Sequence, residues 1–288
     1  MELSRRGLIL GGLASAAVGC AGKVMPMAKP GEPRLKRVAE RTVVMPLPRV
    51  GFDPTEAAVP WQQLTAFGAT LVFATPDGKP GAADERMVTG EGLGRYAERL
   101  RADAGARAAY ERMRGSGDFR NPRPWSELRA ADYDALLLPG GHAKGMKEYL
   151  ESPLLQRFVG EFFASGRPVA AICHGVVLAA RSRLPGGEQS ALAGRTTTAL
   201  PRRMEKLAWQ LTRKKLGDYY RTYPTFVQDE VAAAVGAAGR YEVGPGGFER
   251  DRPDDLSPGF VVVDGRYVSA RWPGDAHRFA AALLEQLA

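Results

Sequence analysis

Residues 135–145, ALLLPGGHAKG, and residues 167–180, RPVAAICHGVVLAA, set out one design twice. The apolar run Ala135 to Leu138 ends in Pro139, Gly140 and Gly141. The run Val169 to Ile172 ends in Cys173, His174 and Gly175, and a small-residue helical pattern follows from Val176 to Arg181. Short apolar runs without alternation predict strands buried on both faces, as in a parallel sheet. The carboxyl ends of such strands line the ligand crevice of an open α/β sheet.

The second strand end has the layout of a nucleophile elbow. Cys173 falls on a sharp strand-to-helix turn, and Gly175 permits close backbone approach. The free N–H groups and positive end of the following helix predict a Cys173 held toward the thiolate. Gly140 and Gly141 on the neighbouring strand offer a backbone N–H to an oxyanion. His174 is placed to serve as base or acid. A cysteine after an apolar run is often plain core. The glycine-flanked turn beside a second glycine-rich strand end is what favours chemistry here.

AICHG at 171–175, together with LLLPGGHAKGM at 136–146, resembles the class I glutamine-amidotransferase-like superfamily. More narrowly it resembles the ThiJ/PfpI family, including its glyoxalase III-like and chaperone-like branch. The resemblance runs from about Arg41 to the C-terminus. It implies a flavodoxin-like, doubly wound α/β sandwich and a cofactor-independent cysteine nucleophile. It also implies that Glu56, at the start of the first helix, points at Cys173; without the resemblance Glu56 reads as an ordinary first-turn helix carboxylate. The implied oxyanion donors are the Gly141 and His174 N–H groups. Gly140, His142, Gly175 and Trp272 would border the pocket, with a buried anchor the other reading of Trp272. The chaperone-like branch completes a Cys-His-Asp triad with an Asp after the next strand. Here that stretch reads PRRME, Pro201 to Glu205, so Glu205 is the candidate third member and a surface helix position is its other reading.

The implied substrates are small reactive carbonyl compounds, as for glyoxalase III or deglycases, or amide and peptide bonds. Fold alone does not choose among them. An amidotransferase proper is disfavoured, because no His-x-Glu follows the cysteine. The non-catalytic alternative is an envelope stress-response, chaperone-like or redox-sensing module with an oxidisable Cys173. Family members often dimerise, which leaves a homodimer open.

The remaining sequence sets the context. The chain has 288 residues, a composition ordinary for a globular protein, and a net charge of +8 from 40 basic and 32 acidic side chains. The basic residues are scattered without an aromatic-interleaved stripe, which argues against nucleic acid as a partner. Met1 to Cys20 reads as an export signal: Arg5 and Arg6 resemble a twin-arginine motif, and the following apolar run is too short to span a bilayer. Ala17-Val18-Gly19-Cys20 resembles a lipobox, which would lipidate Cys20 and tether the protein to a membrane. The alternatives are cleavage near Ala16 or an unused leader. Periplasmic or envelope location follows from this reading. Residues 21–40 read as a flexible tether. With Cys20 lipidated or removed, Cys173 has no disulfide partner.

Residues 41–288 read as one domain with a helical insertion at about 81–131. The expected elements include strands at Arg41–Leu47, Thr70–Ala74 and Arg195–Ala199, and a helix through Trp61 and Leu64 to Phe67 that Pro60 would kink or shorten. Further helices are expected at 201–213 and 226–238, with a β-hairpin turning at Asp264-Gly265 and a final helix at Ala276–Leu287. Leu216 to Tyr223 reads as lining the pocket mouth or packing the cap, with packing favoured, and His277 as a surface or structural residue. Gly92 to Gly94 falls short of a dinucleotide fingerprint. No Cys/His grouping has metal-ligand spacing along the chain.

Overall fold

Both apolar runs are strands, and they lie side by side. A computed structural model describes residues 35–288; the leader, the lipobox Cys20 and most of the expected tether lie outside the described residues. In chain order the strands are β1 Thr42–Pro46, β2 Val50–Phe52, β3 Thr70–Thr75, β4 Ala82–Ala83, β5 Arg123–Pro124 and β6 Ala135–Leu138. They continue with β7 Val169–Ile172, β8 Thr196–Thr197, β9 Arg240–Tyr241, β10 Val261–Asp264 and β11 Tyr267–Ala270. One sheet runs in the order β10-β11-β7-β6-β1-β3-β5. Its neighbours are parallel except for the β10–β11 hairpin.

Every residue of β6 and β7 is buried, which accounts for their unbroken apolar character. Helices cover both faces, giving the expected flavodoxin-like α/β sandwich. On one side the helix Pro54–Ala66 packs against Ala104–Gly115 and Ala276–Leu287. Elsewhere Pro153–Ala164 packs against the elbow helix Gly175–Arg181.

From β1 the chain first builds outward to β3 and β5, then returns to β6 and continues to β7 and β11. The order therefore reverses between β1 and β6. A crevice opens at such a switch point, at the carboxyl ends of the strands. Three segments leave the sheet there: the turn into Pro54–Ala66, the Pro139–Gly141 turn and the Cys173 elbow.

Several expectations need correction. Pro60 does not end its helix, which runs unbroken over Pro54–Ala66. The strand expected at Arg195–Ala199 shrinks to β8, which pairs with β9 outside the main sheet. The insertion is not only helical, because β5 adds an edge strand beside β3. The helix expected at 226–238 spans Val227–Val235, and the one expected at 201–213 extends over Arg202–Leu216. Leu35–Glu40, expected as tether, is a 3-10 helix whose Val38 is buried. Among the described residues no helix is long and apolar enough to cross a membrane.

Candidate active site

Cys173 is the one non-glycine residue with positive φ among the described residues, at 57°. A side chain in this region carries steric strain, and such strain collects at functional turns. The elbow is fixed from both sides. The Cys173 N–H donates to the Ala270 carbonyl at 3.1 Å, tying the turn to β11. A Cβ on Gly175 would overlap the Leu138 carbonyl oxygen. A Cβ on Gly140 would stand 2.6 Å from the His174 nitrogen and 2.8 Å from Glu56 Oε2. These two glycines let the ends of β6 and β7 interlock, and Cys173 is left fully buried.

Glu56 reaches this turn from the neighbouring helix. Asp53 caps that helix, its Oδ1 accepting from the N–H groups of Thr55 at 2.8 Å and Glu56 at 3.1 Å. The Asp53 N–H donates to the Gly140 carbonyl at 2.8 Å, and the Gly140 N–H donates to Glu56 Oε2 at 2.8 Å. One glycine peptide thus positions both acids. Glu56 Oε1 has no hydrogen-bond partner among the described residues. The Cys173 thiol is the neighbour whose interaction favours the charged carboxylate.

The electrostatics depart from the expectation of a simple low-pKa thiol. Burial, then the Asp53 charge, pushes Glu56 well above the usual carboxylate range, against the hydrogen bonds from Gly140 and Cys173. Burial pushes the Cys173 thiol up as well, aided by charge on Glu56 and Asp53 and opposed by the His174 N–H. The helix end alone therefore does not hold Cys173 as thiolate. Carboxyl and thiol form one buried pair in which charge on either member raises the other. When Glu56 keeps its proton, its repulsion vanishes and its O–H can donate to the sulfur.

His174 Nδ1 lies 3.6 Å from Cys173 Sγ. Burial, reinforced by His142, Arg181 and Arg221, pushes the His174 imidazole well below its usual range, so it is neutral. The His142 ring stands 5.1 Å from the His174 ring, edge to face, and burial pushes His142 down to about 4. The fold thus gathers donors that are scattered in sequence: the ligand atoms of His142, Cys173 and His174 lie within 4.8 Å of one another. One sulfur and two imidazole nitrogens are a donor set that suits a zinc-like ion.

Glu205 is buried but is engaged elsewhere. Its Oε1 accepts from Arg221 at 3.1 Å and its Oε2 accepts from the Val227 N–H at 2.9 Å. Burial raises it to about 7. Among the described residues no hydrogen bond joins it to His174. Gly141, at φ 151°, packs where a Cβ would lie 2.6 Å from the Gly51 carbonyl oxygen.

A cavity of about 640 Å³ opens beside the elbow, and Asp53 and His142 form part of its wall. Trp272 borders it and also packs against the core. The wall is held by a buried bidentate pair: Arg271 Nε and Nη2 donate to Asp275 Oδ2 and Oδ1 at 2.9 and 2.7 Å. Sequence reasoning missed Arg250, which also lines the cavity. Tyr220 lines it too, in the segment whose less favoured reading was the pocket mouth. His277, as expected, is structural, its Nδ1 lying 2.8 Å from Gln63 Nε2.

Comparison with known proteins follows this geometry. A family model described as ThiJ/PfpI family-like matches residues 47–245. Protein DJ-1 homolog D of Arabidopsis thaliana is 33% identical over 144 residues, covering 49% of this chain and 33% of that protein. A probable glutathione-independent glyoxalase of Schizosaccharomyces pombe is 26% identical over 170 residues, 58% of each protein. The chain therefore spans about a third to three-fifths of the length of these curated relatives. Among solved structures, glyoxalase III of Candida albicans matches with a TM-score of 0.58 at 21% identity, covering 84% of this chain and 95% of that one. The Rapid Encystment Protein of Francisella tularensis matches with a TM-score of 0.60 at 18% identity, covering 86% and 99%. At such identities the structures establish the fold. Because the matched family model spans more than half of the chain and the whole elbow, the protein belongs to the ThiJ/PfpI-like family.

Proposed function

We propose that the protein is a cofactor-independent cysteine enzyme acting on reactive carbonyl compounds, in the manner of a glutathione-independent glyoxalase. The observation that carries this reading is the Cys173–Glu56 pair, held on a strained elbow by Gly140 beside a neutral His174. Cys173 Sγ, deprotonated by His174, adds to the aldehyde carbon of a 2-oxoaldehyde. The Gly141 and His174 N–H groups stabilise the developing oxyanion. The same base moves the proton from C1 to C2 through an enediol, converting the hemithioacetal to a thioester. Water then cleaves the C–S bond, releasing a 2-hydroxy acid and restoring the thiol. Glu56 keeps its proton and donates to the sulfur whenever that atom is anionic.

Similarity to a probable glutathione-independent glyoxalase over 58% of each protein favours carbonyl chemistry over amide hydrolysis. The full burial of Cys173 likewise gives less support to an openly oxidisable sensor. The test is lactate formation from methylglyoxal in the absence of glutathione. The expected result is turnover that Cys173→Ala abolishes and Glu56→Ala lowers by at least tenfold. A protein whose Cys173 alkylates readily with iodoacetamide, yet which forms no 2-hydroxy acid from any aldehyde, overturns the reading.

A further inference from the structure

The cavity beside the elbow is much larger than a three-carbon oxoaldehyde requires. At about 640 Å³ it lies within the range of pockets that enclose drug-sized ligands, about 300–1,000 Å³. Its wall is mainly apolar. The helix Arg202–Leu216 contributes Met204, Leu207 and Leu211, spaced by three and four residues on one face. Leu207 and Leu211 stay partly exposed because that face looks into the cavity and not onto another element. Met87 and Leu100, from the 81–131 insertion, and Trp272 also border it. None of these segments belongs to the parallel sheet that builds the elbow.

The wall also carries unsatisfied donors. Arg250 Nη1 and Trp272 Nε1 are buried without a hydrogen-bond partner among the described residues. The guanidinium carbon of Arg250 lies 5.2 Å from the Trp272 ring centroid, so the two stand together. Arg250 Nη2 is engaged with the Arg101 carbonyl at 3.4 Å. Burying a donor with no partner is costly, and a ligand acceptor oxygen would remove that cost. Asp53, Glu98, Arg99 and Glu249 complete the charged part of the lining. Glu98 is paired with Arg101.

We infer that the preferred substrates are aldehydes with a long or bulky apolar substituent, six carbons or more, lying along the Leu207–Leu211 face with an acceptor oxygen toward Arg250 and Trp272. This rests on the carbonyl reading above and narrows it. His142, whose ring nitrogen lies within 4.8 Å of Cys173 Sγ, lines the cavity, while Cys173 itself is fully buried and not part of the lining. A substrate in the cavity therefore reaches the nucleophile past the His142 ring.

Two measurements test this. The first compares kcat/KM for methylglyoxal and for the straight-chain ten-carbon 2-oxoaldehyde. Each buried methylene is worth roughly fourfold, so burying even two or three of the added methylenes gives an advantage of about thirtyfold for the longer compound. Leu207→Asp and, separately, Leu211→Ser should shrink that ratio toward one. The second measures calorimetric binding of 2-decanone to the Cys173→Ser protein, with acetone as reference. Tight binding of 2-decanone that Leu207→Asp weakens by tenfold or more supports the inference even if no aldehyde is turned over, in which case only the catalytic reading fails. Equal kcat/KM for the two aldehydes, or 2-decanone binding no better than acetone, overturns it.

Discussion

Cys173 adopts a backbone conformation that suits glycine, with φ at 57°. For a residue with a Cβ the left-handed region costs roughly 1–2 kcal/mol, while glycine normally gives up about 0.5–1 kcal/mol of chain entropy. At this position the first effect outweighs the second. Cys173→Gly should therefore be more stable than Cys173→Ala by about 0.5–1 kcal/mol in urea unfolding, the reverse of the order expected inside a helix or strand. Equal stability of the two variants would mean the elbow stores no strain. Cys173, His174, Gly175 and the Gly140–Gly141 pair were legible because they are contiguous with the strands that aim them. Glu56 was legible only through the resemblance, since the Gly140 N–H that holds it lies across the sheet. Arg250 was not legible at all, because it reaches the cavity from a distant segment, and Tyr220 was legible only as one of two readings of its aromatic stretch. Glu205 shows the converse: it follows β8 closely in sequence, but spatially it serves Arg221 and Val227.

At the scale of elements, the fold turns on how closely β6 and β7 approach past their last residues. β6 and β7 were readable from unbroken apolar runs, and β10–β11 from a turn at Asp264-Gly265. The two-residue strands β4 and β5 were not, because so short a strand has no period to detect. Pro60 misled for a physical reason. It removes one hydrogen bond from its helix, yet that helix is sandwiched between Ala104–Gly115 and Ala276–Leu287, and their packing outweighs the loss. The glycine of the elbow helix offers the test of element packing. Gly175→Ala forces Leu138 away from the elbow and should destabilise by about 1–3 kcal/mol or more. Gly115→Ala, with nothing within 4 Å of its Cβ position, should instead be neutral or stabilising by up to about 1 kcal/mol. Urea midpoints of the two variants measured side by side separate close packing from helix propensity.

Across the whole molecule, buried carboxyls couple folding to pH. The Asp251 N–H donates to the Gly274 carbonyl, and its side chain accepts from the N–H groups of His277 at 3.2 Å and Arg278 at 2.7 Å. It thereby ties the loop that carries Phe248 and Arg250 to the start of the last helix. Burial raises Asp251 from 3.8 to about 7, and Glu205 and Asp53 are raised by burial to about 7 and about 6. A folded acid that holds its proton more tightly than the unfolded chain contributes stability below its unfolded pKa. That stability is lost as pH rises through the folded value. His142 acts oppositely: lowered from 6.5 to about 4, it makes the folded state gain stability as pH rises between those values. The two trends offset each other below about pH 6.5, and above it only the carboxyls still titrate. The urea midpoint should therefore fall between pH 6.5 and pH 8, and Asp251→Asn, which cannot ionise, should flatten that fall. A midpoint that rises over this interval, or an Asp251→Asn profile as steep as the wild type's, would show that Asp251 is already ionised in the folded protein at pH 6.5.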